Sequence, residues 1–291
     1  MRRLALIAIA FAIGCGLSAA GTAHVEDDAG GLDASADVVV VLPDDATFDG
    51  VEPEDAPKPI DGAPDAPVNA GWALSVSGAQ YVQVGALPIP PDFTLEAWVK
   101  PAGFAGETYV AAKDRSGQGQ GQFRLGFTAL GQLFFEMSDS TGSDHGLYVA
   151  GYQLLSAPIP LGSWVHVAVT KSGAVFNLIV NGIVAKTITA SASFVHGGPA
   201  VAFRIAGRVA TDGTSLAGGF NGLVDEVRVW TVARTAGEIL TDMKKPVAAN
   251  TPQLAAYWRF DEGAGTTTAD AKGTFNGTLV GGAKFVVSTA F

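Results

Sequence analysis

The chain has 291 residues, a net charge of −10 at pH 7 and one cysteine. A single cysteine excludes an intrachain disulfide and a cysteine-rich zinc site. The charge is uneven: residues 16–70 carry 13 acidic residues and one lysine, whereas residues 71–291 carry 15 acidic and 15 basic residues. Because phosphate binding needs concentrated lysine and arginine, the neutral body argues against nucleic acid as a partner.

The N-terminus has the pattern of an export signal. Met1-Arg2-Arg3 is basic, and residues 4–13 form an apolar run too short to span a bilayer. The following Gly14-Cys15 resembles the lipobox of bacterial lipoproteins, whose cysteine becomes the lipid-bearing N-terminus. The resemblance predicts a signal peptide over residues 1–15, lipidation of Cys15 and a location at the outer membrane or cell surface, with a lipid anchor as the only membrane contact. The alternative is an ordinary signal peptide cut after Ala20 and a secreted protein.

Residues 16–70 are predicted to form a disordered acidic tether. They are rich in aspartate, alanine and proline, so they cannot bury enough apolar surface to offset the entropy of ordering the chain. Val38-Val39-Val40-Val41-Leu42 is the one patch that could form a short strand. A calcium-binding acidic loop is the alternative, although the carboxylates lack the regular alternation of an ion loop.

Residues 71–291 have the pattern of an all-β domain. Short apolar and β-branched runs alternate with Gly, Asn, Asp and Ser at roughly ten-residue spacing, which favours a sandwich or jelly roll. The predicted strands are Tyr81–Val84, Phe93–Lys100, Tyr109–Lys113, Phe123–Phe127, Leu133–Met137, Trp164–Lys171, Val175–Val180, Ile183–Thr189, Val201–Ala206, Leu223–Trp230, Ala255–Phe260 and Thr278–Val280. Asn181-Gly182 predicts a two-residue hairpin turn. Thr235 and Glu238 form a capping-box pattern that predicts one helix, Thr235–Met243.

Four segments of this body resemble bacterial laminin-G-like, concanavalin A-like domains. They are residues 73–101, 162–182, 220–240 and 257–263, and the third is also similar to pentraxins. The resemblance implies a jelly roll of two antiparallel sheets over residues 71–291. It also implies a domain that binds glycans or proteins, often with calcium, although the superfamily includes glycosidases.

The resemblance to pentraxin-like members implies calcium ligands at two positions of this chain. They are Asp114, in Lys113-Asp114-Arg115, and Asp212, in a turn ahead of the third segment. Calcium takes six to eight oxygen ligands from loops of this kind. The alternative is that both aspartates only shape turns.

Loop residues are the predicted ligand-binding groups. Gln118 and Gln120 carry amides that can bond sugar hydroxyls, and Tyr148 and Tyr152 offer ring faces beside a polar loop. The tryptophans inside predicted strands are expected in the core instead. These are Trp98, Trp164, Trp230 and Trp258.

The carboxylates show no catalytic pattern. Asp225 and Glu226 are neighbours in a predicted strand, so we expect their side chains on opposite faces, with structural roles. Asp261, Glu262 and Asp270 are expected to shape a turn between the last strands. No nucleophile motif occurs, so the sequence predicts a protein that is not an enzyme.

The sequence therefore predicts a monomeric envelope lipoprotein that binds a carbohydrate or glycoprotein, with calcium as a possible aid. Two alternatives stay open. One is a structural or protein-interaction role without a glycan ligand, and the other is a glycan-active hydrolase.

Overall fold

The computed structural model describes residues 71–113, 123–137, 155–190, 201–210 and 212–288. The chain divides into residues 1–60 and residues 61–291, and every described residue belongs to the second unit. The predicted signal peptide and tether, with Cys15, lie outside the described residues. No helix within the described ranges is long and apolar enough to cross a membrane.

The described chain is built almost entirely of short strands with one helix. In chain order the first nine strands are β1 (Trp72–Ser77), β2 (Tyr81–Gln83), β3 (Phe93–Pro101), β4 (Thr108–Lys113), β5 (Phe123–Phe127), β6 (Gln132–Met137), β7 (Leu155–Pro158), β8 (Val165–Ser172) and β9 (Val175–Val180). Next come β10 (Ile183–Thr189), β11 (Arg204–Ile205), β12 (Arg208–Val209), β13 (Leu216–Ala217), β14 (Asn221–Trp230), α1 (Ala236–Asp242), β15 (Leu254–Trp258), β16 (Thr267–Thr268), β17 (Gly277–Val280) and β18 (Lys284–Val287).

The strands form two eight-stranded antiparallel sheets that pack face to face. Sheet A has the order β10-β9-β8-β3-β14-β1-β18, and β15 pairs with the second half of β14. Sheet B has the order β16-β17-β2-β11-β4-β5-β6-β7, and β12 and β13 form a separate hairpin. This confirms the predicted jelly-roll sandwich.

The core lies between the two sheets and is dominated by aromatic rings. Phe93 of sheet A lies 5.9 Å from Phe123 of sheet B, measured between ring centroids. Trp258 stacks on Phe203 at 5.6 Å. Rings of this size bury large apolar areas, so the sandwich is stabilised without a disulfide.

Helix α1 covers part of the outer face of sheet A, the face turned away from sheet B. Thr235 and Glu238 form the predicted capping box at its start. Ile239 and Met243 then pack on Trp98 of β3. The Trp98 indole also donates a hydrogen bond of 2.6 Å to the carbonyl of Met243, which satisfies a carbonyl at the end of the helix.

A buried ion network lies beneath this helix. Glu96 is fully buried and accepts a bond of 2.7 Å from the Trp230 indole. Arg228 is 3.8 Å from the Glu96 carboxylate, forms an ion pair with Glu226 and donates to the carbonyls of Asp242 and Lys245. A network of buried charged groups thus joins sheet A to helix α1.

Burial shifts the pKa values of Glu96 and His166, at the centre of this network, in opposite directions. Desolvation raises the pKa of Glu96, while the Arg228 charge opposes that rise. Desolvation, with Arg228 and Arg234 nearby, lowers the pKa of His166 to about 3. His166 is therefore neutral at pH 7, and its contact of 3.5 Å with Glu96 is a polar contact rather than a salt bridge.

The strands predicted from the Asn181-Gly182 turn agree best with the structure. Asn181 and Gly182 both have positive φ, as the predicted turn requires, and they join β9 and β10 at the predicted residues. The predicted strand Val201–Ala206 was too long, since only Arg204–Ile205 pairs with neighbouring strands. Trp98, Trp230 and Trp258 are buried, as expected, whereas Trp164 lies just before β8 and is only partly buried.

Candidate functional site

Most of the predicted binding residues fall on chain that the structure does not describe. Asp114, Gln118 and Gln120 belong to residues 114–122, and Tyr148 and Tyr152 belong to residues 138–154. The adjoining strand ends are described.

Those strand ends lie next to each other in sheet B. Lys113 pairs with Phe123, and Phe123 pairs with Met137. The two predicted binding loops are therefore attached side by side, at one end of sheet B.

Asp212, the remaining predicted calcium ligand, shapes the turn between β12 and β13. Its Oδ1 accepts bonds of 2.8 Å from the backbone N–H groups of both Thr214 and Ser215. The Ser215 side chain and these backbone N–H groups lower the pKa of Asp212 to about 2 by hydrogen bonding. Calcium needs six to eight oxygens, and no cluster of three or more acidic, histidine or cysteine side chains occurs in the described ranges. The described residues alone do not fit calcium, and a site shared with Asp114 stays a prediction.

Polar side chains on the outer face of sheet B bind neighbouring residues and so stabilise the β12–β13 hairpin. Arg204 donates to Gln83 and to the carbonyls of Arg208, Thr214 and Ser215, which pins the β12–β13 hairpin onto the sheet. The Arg204 guanidinium also stacks 4.3 Å from the ring centroid of Tyr81. This leaves little hydrogen-bonding capacity on Arg204 for a ligand.

Two further charged residues on this face pair with each other. Arg124 Nε lies 2.7 Å from the carboxylate of Glu136, and the two side chains are 15% and 9% exposed. Arg204, Arg124 and Glu136 of the sheet B face are therefore engaged by neighbouring residues.

The expectation for Asp225 and Glu226 was wrong: both side chains lie on the outer face of sheet A. The register places Asp225 opposite Trp98 and Arg228 opposite Glu96, so two residues of β14 face the single Ala97. Glu226 is the extra residue, with φ of 51°. Such a bulge interrupts the alternation of faces on which the expectation relied.

Both carboxylates nevertheless serve the structure. Glu226 accepts hydrogen bonds from Arg228 and from the Tyr257 hydroxyl. Asp225 is 2% exposed and accepts a bond of 2.9 Å from the Glu226 backbone N–H. Desolvation, with the nearby Glu226 charge, raises the pKa of Asp225 to about 9.

The last three predicted turn carboxylates bind backbone N–H groups. Asp270 is buried and accepts from the N–H groups of Tyr257, Lys272, Thr274 and Phe275. Elsewhere in the same loop, Glu262 accepts from Ala269, and Asp261 accepts from Trp72. The expected turn role is confirmed for Glu262 and Asp270, whereas Asp261 binds the start of β1 instead.

A groove of about 290 Å³ lies on the outer face of sheet A, beside the part covered by α1. It is lined by the end of β1, the end of β3 and the start of β14. The polar side chains in its wall are Ser75, Ser77, Lys100 and Asn221, and Leu223 adds apolar surface. We call this site the lysine groove.

The strand register explains why these residues meet. Ser75 of β1 pairs with Leu223 of β14, and Leu223 pairs with Lys100 of β3. Ser75 also pairs with Lys284 of β18, which sets a second lysine in the same row of the sheet. Directly opposite residues share a face, so Lys284 lies on the outer face of sheet A next to Ser75, outside the lining of the groove.

Glycine at position 222 permits the close approach of strands in the groove. Gly222 has φ of 145°, and a Cβ atom there would lie 2.3 Å from the Lys100 carbonyl oxygen. Any larger residue would force β14 away from β3.

The polar side chains of the lysine groove lack partners within the described parts of the chain. Lys100 and Lys284 form no ion pair there, and the side chains of Ser75, Ser77 and Asn221 form no hydrogen bond there. Two hydroxyls, one amide and the Lys100 ammonium group thus remain available around an apolar patch, and Lys284 lies on the next strand. This set can bond a hydroxyl-rich ligand that carries a negative charge.

Sequence reasoning missed this groove. One signal was present, because Ser75 and Ser77 alternate with Leu74 and Val76 in β1 and so predict a polar outer face. Nothing local connects these serines with Lys100 or Asn221.

Solved structures with the same fold include a candidate carbohydrate-binding protein from Bacteroides ovatus ATCC 8483. It is 22% identical to this chain, with a TM-score of 0.57, and the match covers 77% of this chain and 62% of that protein. This chain therefore spans less than two thirds of that relative.

A second similar structure is the heptameric SAP-like pentraxin of Limulus polyphemus. It is 15% identical, with a TM-score of 0.54, and the match covers 76% of this chain and 97% of the pentraxin. A CBM40 module of the Ruminococcus gnavus IT-sialidase matches with a TM-score of 0.48 and 14% identity, over 58% of this chain and 95% of the module. No curated protein sequence matches the chain.

Sequence comparison assigns the family. Residues 76–240, more than half of the chain, match the family described as the concanavalin A-like lectin/glucanases superfamily. The matched segment runs from β1 into α1 and includes most of the lysine groove. The chain belongs to this superfamily.

Proposed function

We propose that residues 71–291 form a non-catalytic module that binds a carbohydrate in the lysine groove. The ligand class is a saccharide with a carboxylate or another anionic substituent. Lys100 pairs with the anionic group, while the Asn221 amide and the two serine hydroxyls bond sugar hydroxyls.

The observation that carries this proposal is the set of unpartnered polar side chains in the groove. Elsewhere on the two outer faces, described charged groups such as Arg204, Arg228 and Glu226 are engaged by neighbours. Polar groups that line a concave site without internal partners can exchange bonds with water for bonds with a ligand at little structural cost.

The family supports carbohydrate binding without identifying a ligand. The Bacteroides ovatus protein of the same fold is itself a candidate carbohydrate-binding protein. Fold alone does not determine function, so the ligand class rests on the groove.

We further propose that the module works at the bacterial envelope. Lipidation of Cys15 would anchor the chain, and the acidic residues 16–70 would hold the module away from the lipid surface. Glycans of the envelope or of the surroundings would then be within its reach.

The test is a glycan array probed with the full chain, in the presence of calcium and again in the presence of EDTA. We expect binding to acidic saccharides in both conditions. The variant Asn221→Ala should lose at least about tenfold in affinity, the equivalent of roughly 1.4 kcal/mol. The matched control is Asn250→Ala, an exposed asparagine in the turn before β15.

Three results would refute the proposal. One is the absence of glycan binding in either condition. Another is an equal effect of Asn221→Ala and Asn250→Ala. The third is binding that EDTA abolishes, which would place the ligand at a calcium site with Asp114 and Asp212 instead.

A further inference from the structure

The row of residues that crosses the lysine groove continues beyond the groove to the edge of sheet A. Lys100 pairs with Leu223, which pairs with Ser75. Ser75 in turn pairs with Lys284 of β18, the last strand on that side of the sheet. Directly opposite residues share a face, so the outer face carries a lysine at each end of this row, with an apolar and a hydroxyl side chain between them.

The two lysines are widely separated along the row. Three strand spacings of about 4.8 Å lie between β3 and β18, which puts the backbones of Lys100 and Lys284 about 14 Å apart. The Debye length at 0.15 M ionic strength is about 8 Å, so an anion bound at Lys100 gains little from a charge at that distance. Lys284 therefore contributes to binding when a second anionic group lies beside it.

The groove is small, and it is open on the side of Lys284. Its volume of about 290 Å³ is just below the range of about 300–1,000 Å³ that is usual for small-molecule sites. Its lining comes from β1, β3, β14 and the segment at Gly162, and none of the described residues of β18 belongs to it. A ligand longer than the groove therefore has a path over β18, past Lys284, to the edge of the sheet.

The two carboxyl groups of β14 beyond this row do not offset the charge of the lysines. Asp225 lies two residues after Leu223, on the same outer face. Because burial, with the nearby Glu226 charge, raises the pKa of Asp225 to about 9, its side chain is neutral at pH 7. Glu226 is paired with Arg228. The row therefore has a positive local field, which attracts a ligand with several negative charges.

We infer that the site binds an internal stretch of a linear acidic polysaccharide, which lies across the strands and pairs with Lys100 and Lys284 through anionic groups on different sugar residues. This inference deepens the proposed carbohydrate binding and rests on it. A glycan with a single acidic sugar at its end fills the groove and pairs with Lys100, but it brings no charge to Lys284. The contribution of Lys284 to affinity therefore depends on the length of the ligand.

Calorimetric titration of the full chain with galacturonic acid and with its linear hexamer tests this inference. The matching pair from mannuronic acid supplies a second sugar geometry. In at least one series we expect the hexamer to bind at least about tenfold more tightly than the monomer, and Lys100→Ala to weaken the binding of both.

The decisive comparison uses Lys284→Ala, because a hexamer also gains affinity from having several equivalent positions to offer. This variant should weaken hexamer binding about threefold to fivefold, the upper range for one exposed ion pair, and monomer binding by less than about twofold. The matched control is Lys186→Ala, at an exposed lysine of sheet A on β10 outside the groove, and it should change neither affinity.

Three results would overturn the inference and leave the proposed function standing. One is an equal loss for monomer and hexamer in Lys284→Ala, which would show that both lysines meet on a single anionic group. Another is an equal effect of Lys284→Ala and Lys186→Ala on the hexamer. The third is binding confined to glycans with one acidic sugar at their end. If no acidic saccharide binds, the proposed function itself fails, and the inference fails with it.

Discussion

The outer face of sheet A divides into a half covered by helix α1 and a half that forms the lysine groove. The two halves share strands β3 and β14, and Trp98 and Lys100 are only two residues apart on the same face. In the covered half, Glu96 and Arg228 are almost completely buried and bonded to neighbours. In the groove, Lys100 and Asn221 meet no partner among the described residues.

This difference separates residues that stabilise the fold from residues that are available to a ligand. Removing a buried charge leaves its partners desolvated and unpaired, which is costly. Removing an unpartnered groove side chain leaves no buried group without its partner. Surface changes of this kind usually alter stability by less than about 0.5 kcal/mol. We therefore expect substitutions in the covered half to lower the stability of the fold, and substitutions in the groove to lower the affinity for the ligand.

The largest expected effect is that of Arg228→Met in the covered half. The change leaves Glu226 without its cation and removes the donors to the carbonyls of Asp242 and Lys245. Glu96 loses one of its two cations and keeps Arg234 at 3.6 Å. We expect a loss of about 3–5 kcal/mol in the free energy of unfolding, measured in urea. Lys100→Met removes a cation from the groove in the same way and is the control. Comparable losses of unfolding free energy in the two variants would contradict the division between the covered half and the groove.

Asp225→Asn should change how stability depends on pH. The pKa of Asp225 is raised to about 9 in the folded protein. Its contribution is therefore fully present below the unfolded pKa near 4 and is lost as pH rises through 9. The variant should flatten this decline by more than about 1.4 kcal/mol between pH 5 and pH 9, the equivalent of one pKa unit. Parallel stability profiles for wild type and variant would show that Asp225 ionises normally.

Trp98→Phe should have a smaller effect in the covered half. Phenylalanine keeps much of the apolar contact with Ile239 and Met243 but cannot donate to the Met243 carbonyl. Losing one such hydrogen bond costs about 1 kcal/mol, which thermal unfolding would detect. An unchanged unfolding temperature would mean that this hydrogen bond does not stabilise the end of the helix.

The elements with local signals could be predicted from the sequence. Asn181-Gly182 requires positive φ at both positions, so β9 and β10 were placed at the correct residues. The Thr235–Glu238 capping box likewise depends on one helical turn. In both cases the residues that decide the structure are neighbours in the chain.

The bulge at Glu226 and the lysine groove depend on distant residues. Positive φ is uncommon for glutamate, and here Arg228 and Tyr257 hold its side chain. Ser75, Lys100, Asn221 and Lys284 come from four different strands and meet only through the pairing register. A pattern within a single segment carries no information on that register.

The most direct test is a paired measurement on Lys100→Ala and Lys186→Ala, combining urea unfolding with titration of an acidic saccharide found on the array. For Lys100→Ala we expect unfolding within about 0.5 kcal/mol of wild type and at least a tenfold loss of affinity. Lys186→Ala should leave both quantities unchanged. Retained affinity in Lys100→Ala would contradict the assignment of the lysine groove as the binding site.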